Sequence, residues 1–231
     1  MSLKSYLQQH FVDKPTFSSM VGISTARLDE LIAIQAIPAA TYVCDQKTVR
    51  SAAFGVMEAP EPLAGEFFRP QCARWARIAA TAPHGMEREA VEAVLVGELR
   101  MALRECCAIP NEADIDAKIQ CYLPHFWNGT FGLCVADPAS GGGIVRKEVL
   151  QERLTALTAN GSRSAPDGIS SSELLGLIDD YARSAMPFSP VEYERSSRKR
   201  LVDDLRSRII KDQAEVQAGN GGRHRNEGTQ Q

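Results

Sequence analysis

Apolar residues recur at helical spacing along most of this chain, whereas the strict alternation of apolar and polar residues that is typical of strands is scarce. The clearest helix is predicted over residues 86–107. Its apolar side is formed by Val91, Val94, Leu95, Ala102, Leu103 and Cys106. Asn111 predicts a helix start, and Ser170–Glu173 and Ser189–Glu192 are capping boxes that predict two more. The sequence therefore predicts an all-α fold.

The predicted helices divide into an N-terminal module and a larger helical domain. Residues 1–57 contain two short helices around a turn at Gly22, which is a helix-turn-helix-like arrangement. Proline and glycine interrupt residues 58–66, which we interpret as a linker or loop. Residues 67–212 are predicted to form the helical domain. Residues 213–231 have too little apolar content to fold alone, so a disordered tail is expected.

Composition and charge exclude several classes of function. The net charge of −3 gives no general attraction for nucleic acid or for an anionic membrane. No apolar run is long enough to cross a bilayer, and the N-terminal residues lack the apolar core of a secretory signal. The six cysteines show no CxxC spacing, and no cofactor-binding motif is present. We therefore expect a cytoplasmic protein with reduced thiols and no cofactor.

The segment "CYLPHFWNGTFGLCV", residues 121–135, combines aromatic residues with two glycines. Burial of the aromatic side chains around a tight turn is the simplest interpretation. The same corner can also form one wall of a ligand pocket, because Trp127 offers a surface for stacking while Asn128 and Thr130 offer hydrogen bonds. These three residues are predicted to bind a ligand.

Two reactive arrangements in the same segment are less favoured. Cys121, His125 and Cys134 contain the atoms of a zinc site, but Pro124 interrupts the helix that would align the first two and no fourth ligand is evident. Cys134 with His125 as its base would need an orienting group and an oxyanion hole, which the sequence does not identify. No metal site is predicted, and the catalytic residues remain unknown.

A basic segment near the C-terminus is the second candidate for ligand binding. Arg195 and Arg198 flank the hydroxyl groups of Ser196 and Ser197 in "YERSSRKR". Guanidinium groups and hydroxyls complement phosphate or carboxylate, so these four residues are predicted to bind an anion. The alternative is a solvated helical face, balanced by neighbouring acidic residues.

The predicted helix-turn-helix raises the alternative of DNA binding. The segment "GISTARLDELIAIQAIPAATY" resembles the opening of MerR-type regulators, in which a short helix pair leads into a wing. The resemblance implies a transcriptional regulator. However, residues 1–60 hold five basic and five acidic side chains. Their net charge of zero gives little electrostatic attraction to the phosphates of DNA. DNA is therefore an alternative partner that the charge does not favour.

Three longer segments carry a second resemblance: "GISTARLDELIAIQAIPAATYV", "FWNGTFGLCV" followed by "IVRKEVL", and "MPFSPVEYERSSRKRLVDDLR". With them the chain resembles an uncharacterised domain-of-unknown-function family of natural-product biosynthesis proteins. The resemblance implies a role in bacterial secondary metabolism and no particular reaction.

Together these observations predict a cytosolic protein of natural-product biosynthesis that binds a small anionic or aromatic molecule. Whether it is also an enzyme is left open. A DNA-binding regulator is the first alternative, and a scaffold for neighbouring biosynthetic enzymes is the second. The oligomeric state is left open, with a homodimer as one option, and no membrane partner is expected.

Overall fold

The computed structural model describes residues 1–106 and 111–223, with side chains described as far as residue 215. Within these residues the α-helices are α1 (Leu3–His10), α2 (Lys14–Val21), α3 (Thr25–Ala33), α4 (Ala73–Thr81), α5 (Glu87–Cys106), α6 (Glu112–Trp127), α7 (Thr130–Cys134), α8 (Gly141–Leu157), α9 (Ser171–Ser184) and α10 (Leu205–Arg223). The strands are β1 (Val12–Asp13), β2 (Tyr42–Asp45), β3 (Thr48–Ser51), β4 (Gly55–Glu58) and β5 (Ala64–Phe68).

The five strands form one antiparallel sheet in the order β1-β5-β2-β3-β4, so the prediction of an all-α fold was wrong. The protein is mixed α/β. Each strand has only two to five residues, which is too short for alternation to show against the helical pattern around it. Tertiary pairing, rather than a long alternating run, establishes this sheet.

The turn between β2 and β3 has a local cause. The Asp45 carboxylate accepts hydrogen bonds from the backbone N–H groups of Lys47 (3.1 Å) and Thr48 (2.6 Å). Gln46 adopts a left-handed φ of 76° between them. An aspartate that bonds to the backbone two and three residues on is a standard turn-forming feature. It fixes the hairpin in which Tyr42 lies opposite Ser51.

Helices α2 and α3 are joined by a turn at Gly22, whose φ is 83°. Side chains cap both N-termini, with the Asp13 carboxylate accepting from Thr16 N at 2.9 Å and the Ser24 hydroxyl accepting from Arg27 N at 3.1 Å. The pair packs on the sheet through Phe17, which stacks on Phe68 of β5 at a centroid distance of 4.8 Å. The expected pair of short helices is thus present, and it adjoins a sheet.

The chain divides into two compact units. Unit 1 contains Met1–Val149 and Arg183–Glu194, and unit 2 contains Leu150–Ala182 and the residues from Arg195 onwards. Unit 1 holds the larger core, centred on buried aromatic side chains such as Trp75 and Tyr42. Among the described residues of unit 2, the buried apolar side chains are Leu154, Leu174, Leu177, Ile178, Tyr181, Leu201, Val202, Leu205 and Ile209.

Two segments that we expected to be irregular contain regular structure. Residues 58–66, interpreted as a linker or loop, include the last residue of β4 and the first residues of β5. Helix α10 extends through residues 213–223 of the expected disordered tail, and residues 224–231 lie outside the described residues.

The ends of α5, α6 and α10 agree with the sequence prediction at some positions and differ at others. Helix α5 lies within the predicted helix at 86–107 and begins one residue later, at Glu87, and Asn111 caps α6 by accepting from Asp114 N at 2.9 Å. Helix α6 continues past Pro124 to Trp127, although a proline end was expected. The box at Ser189 forms, but a short 3₁₀ helix (Tyr193–Arg195) and a π-helix (Lys199–Asp204) precede α10.

Candidate ligand-binding groove

A groove of about 410 Å³ lies on one face of the sheet in unit 1. This volume is within the usual range for small-molecule sites. The groove is bounded by α3, the segment before β2, the central strands and the corner after α6. Its lining residues are Ile32, Ala39, Ala40, Val43, Arg50, Ser51, Ala52, Glu66 and Asn128.

Strand register places two opposite charges on the groove face. Val43 of β2 lies opposite Arg50 of β3 on one side and opposite Glu66 of β5 on the other. Residues that are directly opposite in an antiparallel pair project to the same face of the sheet. Since neighbouring strands are about 4.8 Å apart, the backbones of Arg50 and Glu66 are separated by about 10 Å.

Arg50 is the cation of the groove. It is exposed, and its guanidinium group has no hydrogen-bond or carboxylate partner among the described residues. A guanidinium group offers two parallel donors that match the oxygen atoms of a carboxylate or phosphate. The floor of the groove therefore presents a guanidinium group that no carboxylate in the described part of the protein neutralises.

Glu66 belongs to a three-residue charge cluster that also contains Lys14 and Asp29. Lys14 Nζ lies 2.8 Å from Glu66 Oε2 and 2.7 Å from Asp29 Oδ1. Burial opposes the charge of Lys14, but its hydrogen bonds to the two carboxylates outweigh that effect and raise the pKa of its ammonium group. One cation is thus shared by two carboxylates.

Asn128 forms the opposite wall. Its side-chain oxygen accepts hydrogen bonds from the Thr130 backbone N–H at 3.0 Å and from the Thr130 hydroxyl at 2.7 Å. These two bonds fix the orientation of the amide. Because the oxygen is occupied, the amide NH₂ group, which has no partner among the residues described, is the part of Asn128 that can donate to a ligand.

The glycine after Asn128 brings this corner against the segment before β2. Gly129 has a φ of 82°, and a Cβ atom at this position would lie 2.6 Å from the carbonyl oxygen of Ala39. Ala39 N also donates to Trp127 O at 3.0 Å. Only glycine permits both the left-handed backbone and this close approach. The tight corner therefore forms the groove wall.

Trp127 and Thr130 do not line the groove. Trp127 is only 7% exposed, and its ring packs edge-on against Phe126 at 4.7 Å, while the Arg88 guanidinium lies 5.0 Å from its centroid. Thr130 instead orients Asn128. Of the three residues predicted to bind a ligand in this corner, Asn128 lines the groove, whereas Trp127 and Thr130 support the wall without lining it.

Beneath the groove, a buried carboxyl group accepts three hydroxyl hydrogen bonds. Glu192 is 0% exposed and accepts from Tyr42 at 2.5 Å, Ser51 at 2.7 Å and Ser189 at 2.6 Å. Burial, followed by the charge of Glu192, raises the pKa of the Tyr42 phenol well above its usual range. The Tyr42 hydroxyl therefore keeps its proton and donates a hydrogen bond to Glu192. The three hydrogen bonds hold the start of β2 and the end of β3 on the side of the sheet opposite Arg50.

The predicted anion-binding segment near the C-terminus belongs to unit 2, whereas Asn128 belongs to unit 1. Its side chains make contacts within their own unit. The Ser197 hydroxyl accepts from Tyr181 at 2.7 Å, and Arg198 donates to the Ala182 carbonyl at 2.8 Å. Ser196 is buried and caps the next turn, accepting from Lys199 N at 3.1 Å. Arg195 is exposed.

A larger cavity of about 560 Å³ lies at the start of α8, also within unit 1. It contains Arg146 and Arg183, but both arginines already have partners within the protein. The backbone N–H of Gly143, another lining residue, donates to the Ser140 hydroxyl. Its donors are thus more fully engaged than Arg50, so the groove on the sheet is the better candidate.

The three residues that contain the atoms of a zinc site in the sequence do not share one environment in the structure. Cys121 and His125 are exposed, whereas Cys134 is buried. In residues 1–106 and 111–223, no group of three or more histidine, cysteine or acidic side chains is arranged to hold a metal. No helix in this part of the chain has the length and apolar character needed to cross a membrane.

Sequence reasoning missed Arg50, Ser51, Glu66 and Glu192. The first three lie on short strands that were not predicted. Glu192 was identified only as a capping residue. A signal was available in the sequence, because the β-branched and aromatic residues of "YVCD" and "TVRS" flank a turn that begins at an aspartate, a pattern that favours a hairpin.

Comparison with known proteins identifies a family match. The model of a family of unknown function, DUF6058, matches residues 92–210, which is slightly more than half of the 231 residues. No curated protein and no solved structure matches the chain. The matched residues include Asn128 and Glu192 but not the strands of the sheet. The chain therefore belongs to the family of unknown function DUF6058.

Proposed function

We propose that this protein binds a small anionic molecule in the groove on its sheet. Arg50 is the anion-binding group, and the Asn128 amide donates a hydrogen bond from the opposite wall. The observation that carries the proposal is the Arg50 guanidinium, which lies in a groove of about 410 Å³ without a carboxylate partner among the described residues. Apolar side chains and backbone between these two groups would contact the body of the ligand.

Titration of ¹⁵N-labelled protein with hexanoate, followed by NMR, tests this proposal. We expect shifts concentrated at residues that line the groove, such as Ala40 and Ser51. Arg50→Gln should raise the dissociation constant about fivefold, the size expected for an ion pair that remains partly in water. Lys47→Gln, which removes one positive charge from the turn of the same sheet, is the matched control and should change little. Shifts that are insensitive to Arg50→Gln would contradict the proposal.

We further propose that the ligand belongs to bacterial natural-product biosynthesis in the cytoplasm. The support is the resemblance of three long segments to proteins of that class, together with a groove of suitable size. Native mass spectrometry of protein purified from its own cells is the test. An adduct that is lost in Arg50→Gln would support the proposal and give the ligand's mass. An unliganded mass for the unchanged protein would count against it.

The charges of α2 and α3 do not favour the DNA-binding alternative, because their basic side chains are paired with carboxylates. Lys14 is paired with Asp29 and Glu66, and Arg27 is paired with Glu30 and Glu87. Paired cations release fewer counterions on meeting a phosphate backbone. The scaffold alternative stays a prediction, because no observation in the described residues favours it.

A further inference from the structure

The anionic side of the groove has an incomplete charge balance. Lys14 is the single cation of a cluster that contains the carboxylates of Asp29 and Glu66, so the cluster has a formal charge of −1. Glu66 Oε2 contacts Lys14, whereas Oε1 has no partner among the described residues. The cluster can therefore accept one further cation from the groove.

The cationic side of the groove, at Arg50, is separated from the anionic side, at Glu66, by strand β2. Arg50 and Glu66 occupy positions on either side of Val43, at about 10 Å backbone separation, and all three residues line the same groove. Because both side chains are long, the distance between their charged groups can decrease to about the length of a short aliphatic chain. Between them the surface is apolar, since Val43 separates the two charges and Ile32 contributes from α3.

We propose that the groove selects a dipolar small molecule, with an anionic group at Arg50, a cationic group at Glu66 and an apolar body across Val43. This inference rests on the proposed function, because it takes Arg50 as the anion-binding group. It adds a specificity-determining residue, Glu66, and a ligand class, the amino acids and similar zwitterions whose charges are separated by several carbon atoms. A simple carboxylic acid would leave the Glu66 side unmatched.

Three probes with the same six-carbon chain test the inference: 6-aminohexanoate, hexanoate and hexylamine. NMR titration of the full-length ¹⁵N-labelled protein should give the tightest binding for 6-aminohexanoate, about fivefold tighter than hexanoate. Glu66→Gln should remove this preference and leave hexanoate binding unchanged or slightly tighter. Glu58→Gln, an exposed glutamate on β4, makes the same charge change on the same sheet and should preserve it.

The outcomes separate the two proposals. Equal binding of hexanoate and 6-aminohexanoate to the unchanged protein, with both weakened by Arg50→Gln, would overturn the dipolar inference and retain anion binding. A preference that survives Glu66→Gln would also overturn it. Binding that does not respond to Arg50→Gln would overturn the proposed function itself. Thermal unfolding of each variant checks that the fold is retained.

Discussion

At the scale of single residues, Glu192 is a buried carboxyl group that accepts three hydroxyl hydrogen bonds in unit 1. Replacing it with glutamine exchanges one carboxyl oxygen for an NH₂ group that faces hydroxyl donors. We expect Glu192→Gln to lower the free energy of unfolding by about 1–3 kcal/mol, because buried donors lose their acceptor. Urea denaturation measures the change, with exposed Glu194→Gln as the control. Equal stability of the two variants would show that the network relaxes without cost.

Gly129 gives a second prediction at the residue scale. Alanine would require a strained left-handed backbone and would place its Cβ 2.6 Å from Ala39 O. We expect Gly129→Ala to cost at least about 2 kcal/mol. Gly97→Ala, on an exposed turn of α5 with no atom within 4 Å, should instead stabilise by about 0.5–1 kcal/mol. Thermal unfolding compares the two. Similar shifts in the same direction would contradict the close approach at the corner.

At the scale of elements, the start of α5 is linked to α3 through one acidic side chain. Glu87 is buried and accepts from Arg27 of α3 and from Gly85 N. The hydrogen bond to its own backbone N–H, followed by the Arg27 guanidinium, lowers the pKa of Glu87 to about 2 from an ordinary value of 4.5. Folding therefore favours the ionised carboxylate.

The stabilisation by Glu87 should depend on pH in a defined direction. Its contribution is fully present above pH 4.5 and is lost as the pH falls towards 2, because the unfolded chain binds the proton first. We expect Glu87→Gln to be less stable than the unchanged protein at about pH 7, with a smaller difference at about pH 3. Urea denaturation at both values measures this. The exposed Glu89→Gln controls for the general loss of charge, and a constant difference would contradict the prediction.

The helices could be predicted from the sequence to a larger extent than the strands. Long apolar stripes and side-chain caps act within a few residues, so α5 and the Asn111 cap were predictable locally. Strand β3 has only four residues and depends on partners that lie before and after it in the chain. Asn128 was predictable as a polar residue at a glycine corner. Arg50 and Glu66 acquire their relation only through pairing with β2.

At the scale of the whole molecule, the family match and the compact units have different boundaries. The matched residues 92–210 begin within α5, whereas the core of unit 1 includes Tyr42 and Trp75 from before that point. We expect a fragment of residues 92–210 to lack a cooperative thermal transition, because half of that core would be missing. Circular dichroism of the fragment and of the full chain compares them. A fragment that unfolds as cooperatively as the full chain would contradict this view.

The position of the two tryptophans has a spectroscopic consequence. Trp75 and Trp127 are the chain's entire complement, and both are buried in unit 1. Tryptophan fluorescence therefore reports on unit 1, whereas the helices of unit 2 contribute to the far-ultraviolet circular dichroism. Trp127 also has a direct link to the groove, because its carbonyl oxygen accepts from Ala39, a lining residue. We therefore expect a ligand in the groove to change the tryptophan emission of the unlabelled protein.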